Sequence, residues 1–263
     1  MPYVRTLHLL HSFRCGDGDV SLKRVSVKEI RVKSFSELHE ALSGYRKDNR
    51  WVFRGHGDVE WELLPKAGRK PYSEKYDLDY FDAWKRRAVE FILGEKPQND
   101  WEWLAIAQHH GLPTRLMDWT YNPLVAAYFA TLEVSKSDAV IYCHIPDFVL
   151  IPESTTPRKY KQVSLLKPSA VVPRISRQSG LFTVHGEPTT PMEKEVSDDS
   201  IEKIIIDKYY RKKLQFELNH YGINKLNLFS DLDGLSAHLC WTLENRNYWT
   251  NNEEFMQALE NLS

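Results

Sequence analysis

The hydrophobic positions along the chain follow two spacings, one typical of strands and the other typical of helices. Val27 to Val32 alternates apolar and polar residues, which predicts a strand. Short apolar runs at 51–55, 139–144 and 181–184 predict further strands. Helical spacing or capping residues predict helices at 35–46, 77–93, 101–110, 124–132, 201–219, 235–243 and from 252 onward.

Two of these helices carry clear start signals. Ser34 to Glu37 has the spacing of a capping box, in which a hydroxyl and a carboxylate each satisfy a free backbone N–H. Asn122-Pro123 supplies an N-cap and a proline at the first helical position. A few short strands separated by long helices predict the α+β class, with a small mixed or antiparallel sheet flanked by helices. We expect a single domain over 1–263, with a loosely ordered lead-in at 1–22 and a surface connection at 188–200.

Composition narrows the class of protein. A hydrophobic fraction of 42% and an aromatic fraction of 12% predict a folded core rather than disorder. The 35 Lys and Arg nearly balance the 36 Asp and Glu, which leaves a local basic patch as the only electrostatic route to nucleic acid. Three cysteines far apart in sequence favour a reducing, cytoplasmic location over a disulfide framework. Neither a long apolar run nor a signal-peptide pattern is seen, so we expect no membrane association.

Three segments concentrate polar residues where the pattern predicts burial, and Phe53-Arg54-Gly55-His56-Gly57 is the first. An arginine directly after an apolar strand is costly to bury unless an anion or a planar acceptor meets its guanidinium group. The two glycines would let a ligand approach the backbone closely. The alternative interpretation is that Arg54 pairs with a nearby acid, either Asp58 or Glu60.

The second segment, 108–120, contains two imidazoles, a guanidinium, a carboxylate and two hydroxyls. His109 and His110 point about 100° apart on a helix, so they cannot share a metal ion as an i, i+4 pair can, and we expect no metal. Arg115 and Asp118 are close enough in sequence to form a structural ion pair. The helix that follows also offers free N–H groups that suit a phosphate.

The third segment, 174–182, places arginine and glutamine just before an apolar strand. It belongs to a longer stretch, Ser154 to Gly186, that contains basic residues and no acidic one. A basic stretch is more often a solvated surface than a site. Motifs for phosphate-binding loops, zinc proteases, serine hydrolases and dinucleotide folds are missing from the sequence.

Together these segments resemble the FRG domain family, which is named for its Phe-Arg-Gly tripeptide. The resemblance extends from about Arg31 to Leu243 and rests on Phe53-Arg54-Gly55, the run from Gln108 to Leu124, Phe129-Ala130, Arg174, Gln178, Gly180, Phe182 and the segment 228–235. The family has been grouped, by remote similarity, with the ADP-ribosyltransferase-like fold. Its members resemble recurrent parts of bacterial anti-phage and toxin systems.

The resemblance implies an ADP-ribosyltransferase-like effector that uses NAD as its substrate, cleaves the nicotinamide N-glycosidic bond and transfers ADP-ribose. The three segments then correspond, in order, to three NAD-contacting strands. Arg54 and Arg115 are expected to hold the pyrophosphate, while Thr120 and Gln178 orient the nicotinamide ribose. Gln178 stands where such enzymes usually keep a glutamate, so Glu187 is the reserve candidate for the carboxylate.

The same resemblance implies the remaining roles and partners. His110 would handle a proton, and Asp118 would fix Arg115 or His110. The ligand-binding set is completed by Phe53, Gly55, Trp119 and Phe182, with Trp119 or Phe182 stacking on a ring. A nucleic-acid acceptor is expected from the acid-free stretch, and an antitoxin or another defence protein is a second expected partner.

Two alternatives remain open. A metal-independent nuclease would use His109 or His110 as general acid–base, with Arg54 and Arg115 on the scissile phosphate. A non-catalytic module that senses nucleotides or nucleic acid would bind phosphate through the same arginines without reacting. The enzymatic hypotheses share one geometric condition, which is that Arg54 and Arg115 converge on the same ligand.

Overall fold

One mixed sheet organises the residues that the computed structural model describes, namely 28–74, 76–92, 94, 96–132, 136–167, 178–229 and 231–246. Its strands are Glu29–Val32 (β1), Val52–His56 (β2), Leu116–Thr120 (β3), Ala139–His144 (β4), Ser164–Leu166 (β5), Gly180–Val184 (β6) and Ile201–Ile206 (β7). The strand order is β1-β7-β4-β2-β3-β6-β5. Only β1 and β7 run parallel, and every other neighbouring pair in this described sheet is antiparallel.

Helices lie between the strands and confirm the α+β prediction. In the described ranges they are Phe35–Ser43 (α1), Asp77–Ala88 (α2), Asp100–His109 (α3), Pro123–Thr131 (α4), Arg211–His220 (α5), Lys225–Phe229 (α6) and Leu232–Glu244 (α7). Both predicted N-caps are present, because Ser34 Oγ accepts from Glu37 N and Asn122 Oδ1 accepts from Leu124 N. No described helix has the length and apolar character needed to cross a membrane.

The interval 201–219, predicted as one helix, is a strand followed by a helix. Ile201–Ile206 ends in three consecutive isoleucines, and β-branched side chains favour extended backbone. The strand lies between β1 and β4 and pairs with both, so sheet pairing overrides the helical spacing. The helical ladder is real only from Arg211 onward.

Besides β7, the hydrophobic pattern did not predict two strands and one buried residue. β3 falls inside the 108–120 segment, where only the family resemblance implied a strand, and β5 falls inside the acid-free stretch. The predicted surface connection at 188–200 contains Met192, which is fully buried and donates its backbone N–H to the carbonyl of Leu63. The predicted lead-in at 1–22 and the helix from 252 lie outside the described residues.

Helix α4 packs directly on β2, and Gly55 permits the contact. A β-carbon built on Gly55 would lie 2.0 Å from the carbonyl oxygen of Ala126 and 2.5 Å from the amide nitrogen of Ala130. Glycine is therefore required here by the backbone of α4. Gly55 also lines the cleft described below, so its predicted role in the approach of a ligand stays a prediction.

Gly55→Ala is expected to destabilise the fold by about 3 kcal/mol, because a rigid helix backbone cannot move away from the added methyl group. Chemical denaturation measures the change in the free energy of unfolding. Gly44→Ala is the matched control, since Gly44 has φ −61° and an added β-carbon would meet nothing within 4 Å. A Gly55→Ala protein as stable as Gly44→Ala would contradict the packing argument.

Candidate functional site

A cleft opens where strands β2 and β3 separate. β2 pairs with β4 along its full length, and β3 does the same with β6, but β2 and β3 pair only at Phe53 and Thr120. The resulting cleft has a volume of about 390 Å³ and is bordered by α3, α4 and the start of β6. Its polar lining consists of Arg54, His56, Arg69, Gln108, His109, Asp118, Thr120 and Gln178. This group is called the β2–β3 cleft below.

Arg54 reaches into the β2–β3 cleft with part of its hydrogen-bonding capacity unused. Its side chain is only 16% exposed. Nε donates to Nε2 of His56 at 2.9 Å, and Nη1 donates to the carbonyl oxygen of Asp118 at 2.6 Å. Within the described residues, Nη2 has no hydrogen-bond partner. Neither Asp58 nor Glu60, the partners considered from the sequence, is bound to Arg54.

The surroundings of Arg54 favour the binding of an anion. Burial lowers the pKa of Arg54 to about 10, with the Asp118 carboxylate opposing that shift and Arg69 adding to it. The guanidinium group therefore remains charged at neutral pH but poorly solvated. An ion pair with an anion is strongest in such surroundings, because little water competes for the charge. Arg69 lines the same cleft, is exposed, and its side chain has no partner within the described part of the chain.

His56 acts as a fixed neutral acceptor for Arg54. Because Nε of arginine can only donate, Nε2 of His56 accepts, and the imidazole proton lies on Nδ1. Burial, together with a smaller contribution from the charge of Arg54, lowers the pKa of His56 to about 3. The imidazole stays neutral at physiological pH and holds the guanidinium in place.

Arg115 lies outside the cleft, which corrects the prediction that it shares a ligand with Arg54. Its Nε and Nη2 donate to the two carboxylate oxygens of Asp77 at 2.8 and 2.9 Å, and Nη1 donates to the Pro157 carbonyl. The two side chains are only 9% and 4% exposed. Arg115 is a structural ion-pair partner of α2, and Asp118 does not contact it.

The ion pair with Asp77, and not the face of β3, keeps Arg115 apart from Arg54. Alternation puts Asp118 and Thr120 on one face of β3 and Arg115 and Trp119 on the other, and because Phe53 pairs with Thr120, Arg54 starts from the same face as Trp119. Trp119 borders the cleft, but its indole is 3% exposed and donates to the hydroxyl of Thr183 at 2.9 Å. The ring is therefore not offered as a stacking platform. Phe182 also lines the cleft as a largely buried side chain.

Thr120 and Gln178 meet at the edge of the cleft. The Thr120 hydroxyl donates to the backbone carbonyl of Gln178 at 2.6 Å, and Nε2 of Gln178 donates to the carbonyl of Leu228 at 3.1 Å. These bonds connect β3, the start of β6 and helix α6. Arg174, from the same sequence segment as Gln178, lies outside the described residues.

Two predicted catalytic residues do not line the cleft. His110 is exposed at the C-terminus of α3, whereas its neighbour His109 does line the cleft. Glu187 accepts from the hydroxyl of Thr189, past the far end of β6 from Gln178. Among the described residues that line the cleft, the only carboxylate is that of Asp118.

The first turn of α4 does not offer its N–H groups to a phosphate, contrary to the prediction. Asn122 uses its side chain to accept from Leu124 N and its backbone carbonyl to accept from Val125 N and Ala126 N. Over the described ranges, no group of three or more His, Cys, Asp or Glu side chains could hold a metal ion.

Sequence reasoning gave no role to His56, Gln108 or Arg69, although His56 and Gln108 lie in the first two polar segments. The position of His56, two residues after Arg54 on the same strand, is a signal that could have identified it, because alternate residues share a face. Arg69 follows a short 3-10 helix and lies outside the three polar segments of the sequence analysis, and no local pattern indicates its role.

A family model for the FRG domain matches residues 49–139. The chain carries an FRG domain. The match covers about a third of the chain and includes β2, α3, β3 and α4, which supply most of the cleft. No curated protein and no solved structure matches the chain significantly.

The three residues of the FRG tripeptide have separate roles in this domain. Phe53 packs in the core, with its ring edge-on to Tyr45 at 5.7 Å between ring centroids. Arg54 presents its charge to the cleft, and Gly55 admits the backbone of α4. Consecutive residues of the tripeptide therefore contribute to the core, to the charge of the cleft and to the packing of α4, which forms one wall of the cleft.

Proposed function

We propose that the β2–β3 cleft of the FRG domain binds NAD as a substrate and that the protein cleaves the bond between nicotinamide and ribose. One observation carries this proposal. Arg54, Thr120 and Gln178 come from three distant parts of the sequence, and all three line one cleft on or beside neighbouring strands β2, β3 and β6. These are the three positions that the resemblance to ADP-ribosyltransferase-like proteins associates with NAD.

The charges and walls of the cleft suit a dinucleotide. Because Arg115 does not meet the condition that two arginines converge on one ligand, the proposal gives its place to Arg69. Nη2 of Arg54, which has no partner among the described residues, and the side chain of Arg69 offer two positive charges for a diphosphate. Val125 and Phe129 of α4 supply an apolar wall against which a ring can pack. A volume of about 390 Å³ lies within the range of small-molecule sites, which run from about 300 to 1,000 Å³.

The reaction breaks the bond from ribose C1′ to the nicotinamide nitrogen, and nicotinamide leaves with the bonding electron pair. Positive charge then develops on the ribose, and a fixed negative group nearby stabilises it. Gln178 is neutral and cannot supply that charge. We assign it to Asp118, which lines the cleft. An oxygen or nitrogen nucleophile, from water or from an acceptor, forms the new bond to C1′ and loses its proton.

The acceptor and the biological setting are part of the same proposal. The acid-free stretch suits a nucleic-acid acceptor, because its positive side chains attract phosphate. Since FRG proteins resemble parts of anti-phage and toxin systems, the proposal includes a role as a defence effector that a partner protein holds in check.

A metal-independent nuclease is the second candidate, and the position of His109 favours it. This imidazole lines the cleft together with Arg54, so a general acid–base and a phosphate-binding cation share one cavity. Cleavage of RNA or DNA in EDTA and without NAD would select this candidate.

Release of nicotinamide from NAD by the purified protein tests the proposal. Arg54→Ala is expected to lower kcat/KM by about 100-fold or more, because it removes a buried positive charge from the substrate site. Arg50→Ala is the matched control, since Arg50 is an exposed arginine paired with Asp48 and lies outside the cleft. It should retain full activity.

Two results would contradict this function. If the wild-type protein neither binds nor consumes NAD, the proposal is wrong. If NAD or ADP-ribose raises the melting temperature in an Arg54-dependent way but nicotinamide is never released, the cleft belongs to a sensing module instead.

A further inference from the structure

A chain of hydrogen bonds runs from the backbone to the carboxylate of Asp118. The N–H of Leu116 donates to Oγ1 of Thr114 at 3.1 Å, and the Thr114 hydroxyl donates to Oε1 of Gln108 at 2.6 Å. Nε2 of Gln108 then donates to Oδ2 of Asp118 at 2.9 Å. Thr114 is buried, whereas the Asp118 side chain is 60% exposed. The chain therefore connects the interior to the cleft.

The direction of these bonds is fixed at both ends. The Leu116 N–H can only donate, so it occupies a lone pair of the Thr114 hydroxyl and leaves that proton for Gln108. At the other end, an ionised carboxylate can only accept, so it requires the NH₂ group of Gln108. Both ends impose the same orientation on the Gln108 amide, which holds it in one rotamer.

These hydrogen bonds hold the carboxylate of Asp118 away from direct contact with the guanidinium group of Arg54. Oδ2 of Asp118 lies 3.9 Å from Nη1 of Arg54, whereas a hydrogen-bonded guanidinium–carboxylate pair closes to about 2.8 Å. Gln108 holds that oxygen on its own side, and Nη1 of Arg54 donates to the backbone carbonyl of Asp118 instead. The carboxylate and the guanidinium group are therefore adjacent but not hydrogen-bonded to each other, so each can bind a ligand. Oδ1 of Asp118 has no partner within the described residues.

We propose that Asp118 is the carboxylate that contacts the ligand and that Gln108 and Thr114 are its positioning residues. The ligand then carries a hydrogen-bond donor next to a phosphate, and in a nucleotide that donor is a ribose hydroxyl. This inference rests on the proposed function and deepens it, because it names the part of the substrate that each charge recognises. Asp118 selects the sugar, and Arg54 selects the phosphate.

Isothermal titration of the full chain with two probes, pyrophosphate and ADP-ribose, tests this division. Asp118→Asn keeps the shape of the side chain and removes its charge, so ADP-ribose should bind about 10-fold more weakly, the value of one charged hydrogen bond. Pyrophosphate should bind as well as to wild type or more tightly, because a repelling charge is gone. A merely structural defect would weaken both probes. Asp233→Asn, an exposed acid of α7 outside the cleft, is the matched control.

A double-mutant cycle tests the positioning role of Gln108. Gln108→Leu should let Asp118 close onto Arg54, so that pyrophosphate binds about 10-fold more weakly. The same substitution in the Asp118→Asn background should have little effect, because no carboxylate is left to compete for Arg54. Thr114→Val should reproduce part of the Gln108→Leu loss, and Thr114→Ser, which keeps the hydroxyl, should recover most of it.

The outcomes separate this inference from the proposed reaction. If Asp118→Asn binds both probes like wild type, or if Gln108→Leu is equally harmful in both backgrounds, the inference is overturned even where NAD is cleaved. If both patterns appear but no nicotinamide is released, the inference stands and the proposed reaction fails. A wild-type protein that binds neither probe overturns the inference, and one that in addition neither binds nor consumes NAD overturns the proposed reaction as well.

Discussion

Lowering the pH from 8 to 5 is expected to reduce the free energy of unfolding by about 6 kcal/mol, because three histidines are buried as neutral imidazoles. His56, His144 and His185 are at most 7% exposed. A loss of that size is comparable with the whole stability of many domains, which is about 5 to 15 kcal/mol. The protein should therefore unfold in mildly acidic buffer while it is stable at neutral pH.

Burial is the main cause of the shift at each histidine. It lowers the pKa of His56 and of His185 to about 3 and that of His144 to about 4. Arg54 adds a smaller contribution at His56 and His185, since a nearby positive charge also disfavours a second one. The backbone carbonyl of Ser200, 2.9 Å from Nδ1 of His144, partly opposes the shift at that residue.

Stability falls at low pH because the unfolded state binds more protons than the folded state. In the unfolded chain an imidazole has a pKa near 6.5, so at pH 5 it is protonated, whereas the folded imidazoles remain neutral. Stability is therefore fully present above about pH 6.5 and falls as the pH drops below it. At pH 5 the loss is about 2 kcal/mol for each histidine, which is 1.5 pH units at 1.36 kcal/mol per unit.

Urea denaturation at pH 8, 7, 6 and 5 measures this effect. The slope of the unfolding free energy against pH near pH 5 should correspond to the uptake of about three protons. His144→Gln keeps a donor for the Ser200 carbonyl and removes one titrating group, so its slope should fall to about two protons. Equal stability at pH 8 and pH 5 would show that these imidazoles do not stay neutral in the folded protein.

Strands that are buried on both faces could be predicted from the sequence. β4 is apolar at nearly every position, and its predicted bounds match those observed. β6 is a short, largely apolar run of the same kind, whereas β2 is apolar only at Val52 and Phe53 before the charged Arg54. β7 was assigned to a helix because Ile206 extends a real helical ladder backwards, and only its pairing with two other strands shows that the backbone is extended.

The pattern of residues 116–120 does not by itself predict a strand, and only the family resemblance places Thr120 on one. Polar residues at 118 and 120 interrupt the apolar pattern, because the Asp118 side chain faces the cleft and the buried Thr120 hydroxyl donates to the backbone carbonyl of Gln178. Once Leu116–Thr120 is known to be extended, alternation separates Asp118 and Thr120 from Arg115 and Trp119. The convergence of positions 54, 120 and 178 depends on which strands are neighbours, and sequence periodicity does not report that order.

Asp77→Asn is expected to destabilise the protein by about 3 to 5 kcal/mol, because it leaves the guanidinium of Arg115 buried without its counter-ion. Both oxygens of Asp77 accept from Arg115, and both side chains are buried, so water cannot take the place of the lost carboxylate. The carbonyls of Pro157 and Gly186, at 3.2 and 3.5 Å from Nη1, supply partial dipoles but no negative charge.

Asp79→Asn, two residues further along the first turn of α2, is the matched control for this prediction. Asp79 is exposed and pairs with the exposed Arg158, so its loss should cost less than about 1 kcal/mol. Both variants remove one negative charge near the same helix N-terminus, so the helix-dipole contribution largely cancels in the comparison. Equal destabilisation of the two proteins in urea would contradict the structural role of Arg115. If Asp77→Asn is the less stable of the two but still binds pyrophosphate like wild type at low temperature, Arg115 supports the fold without contacting the ligand.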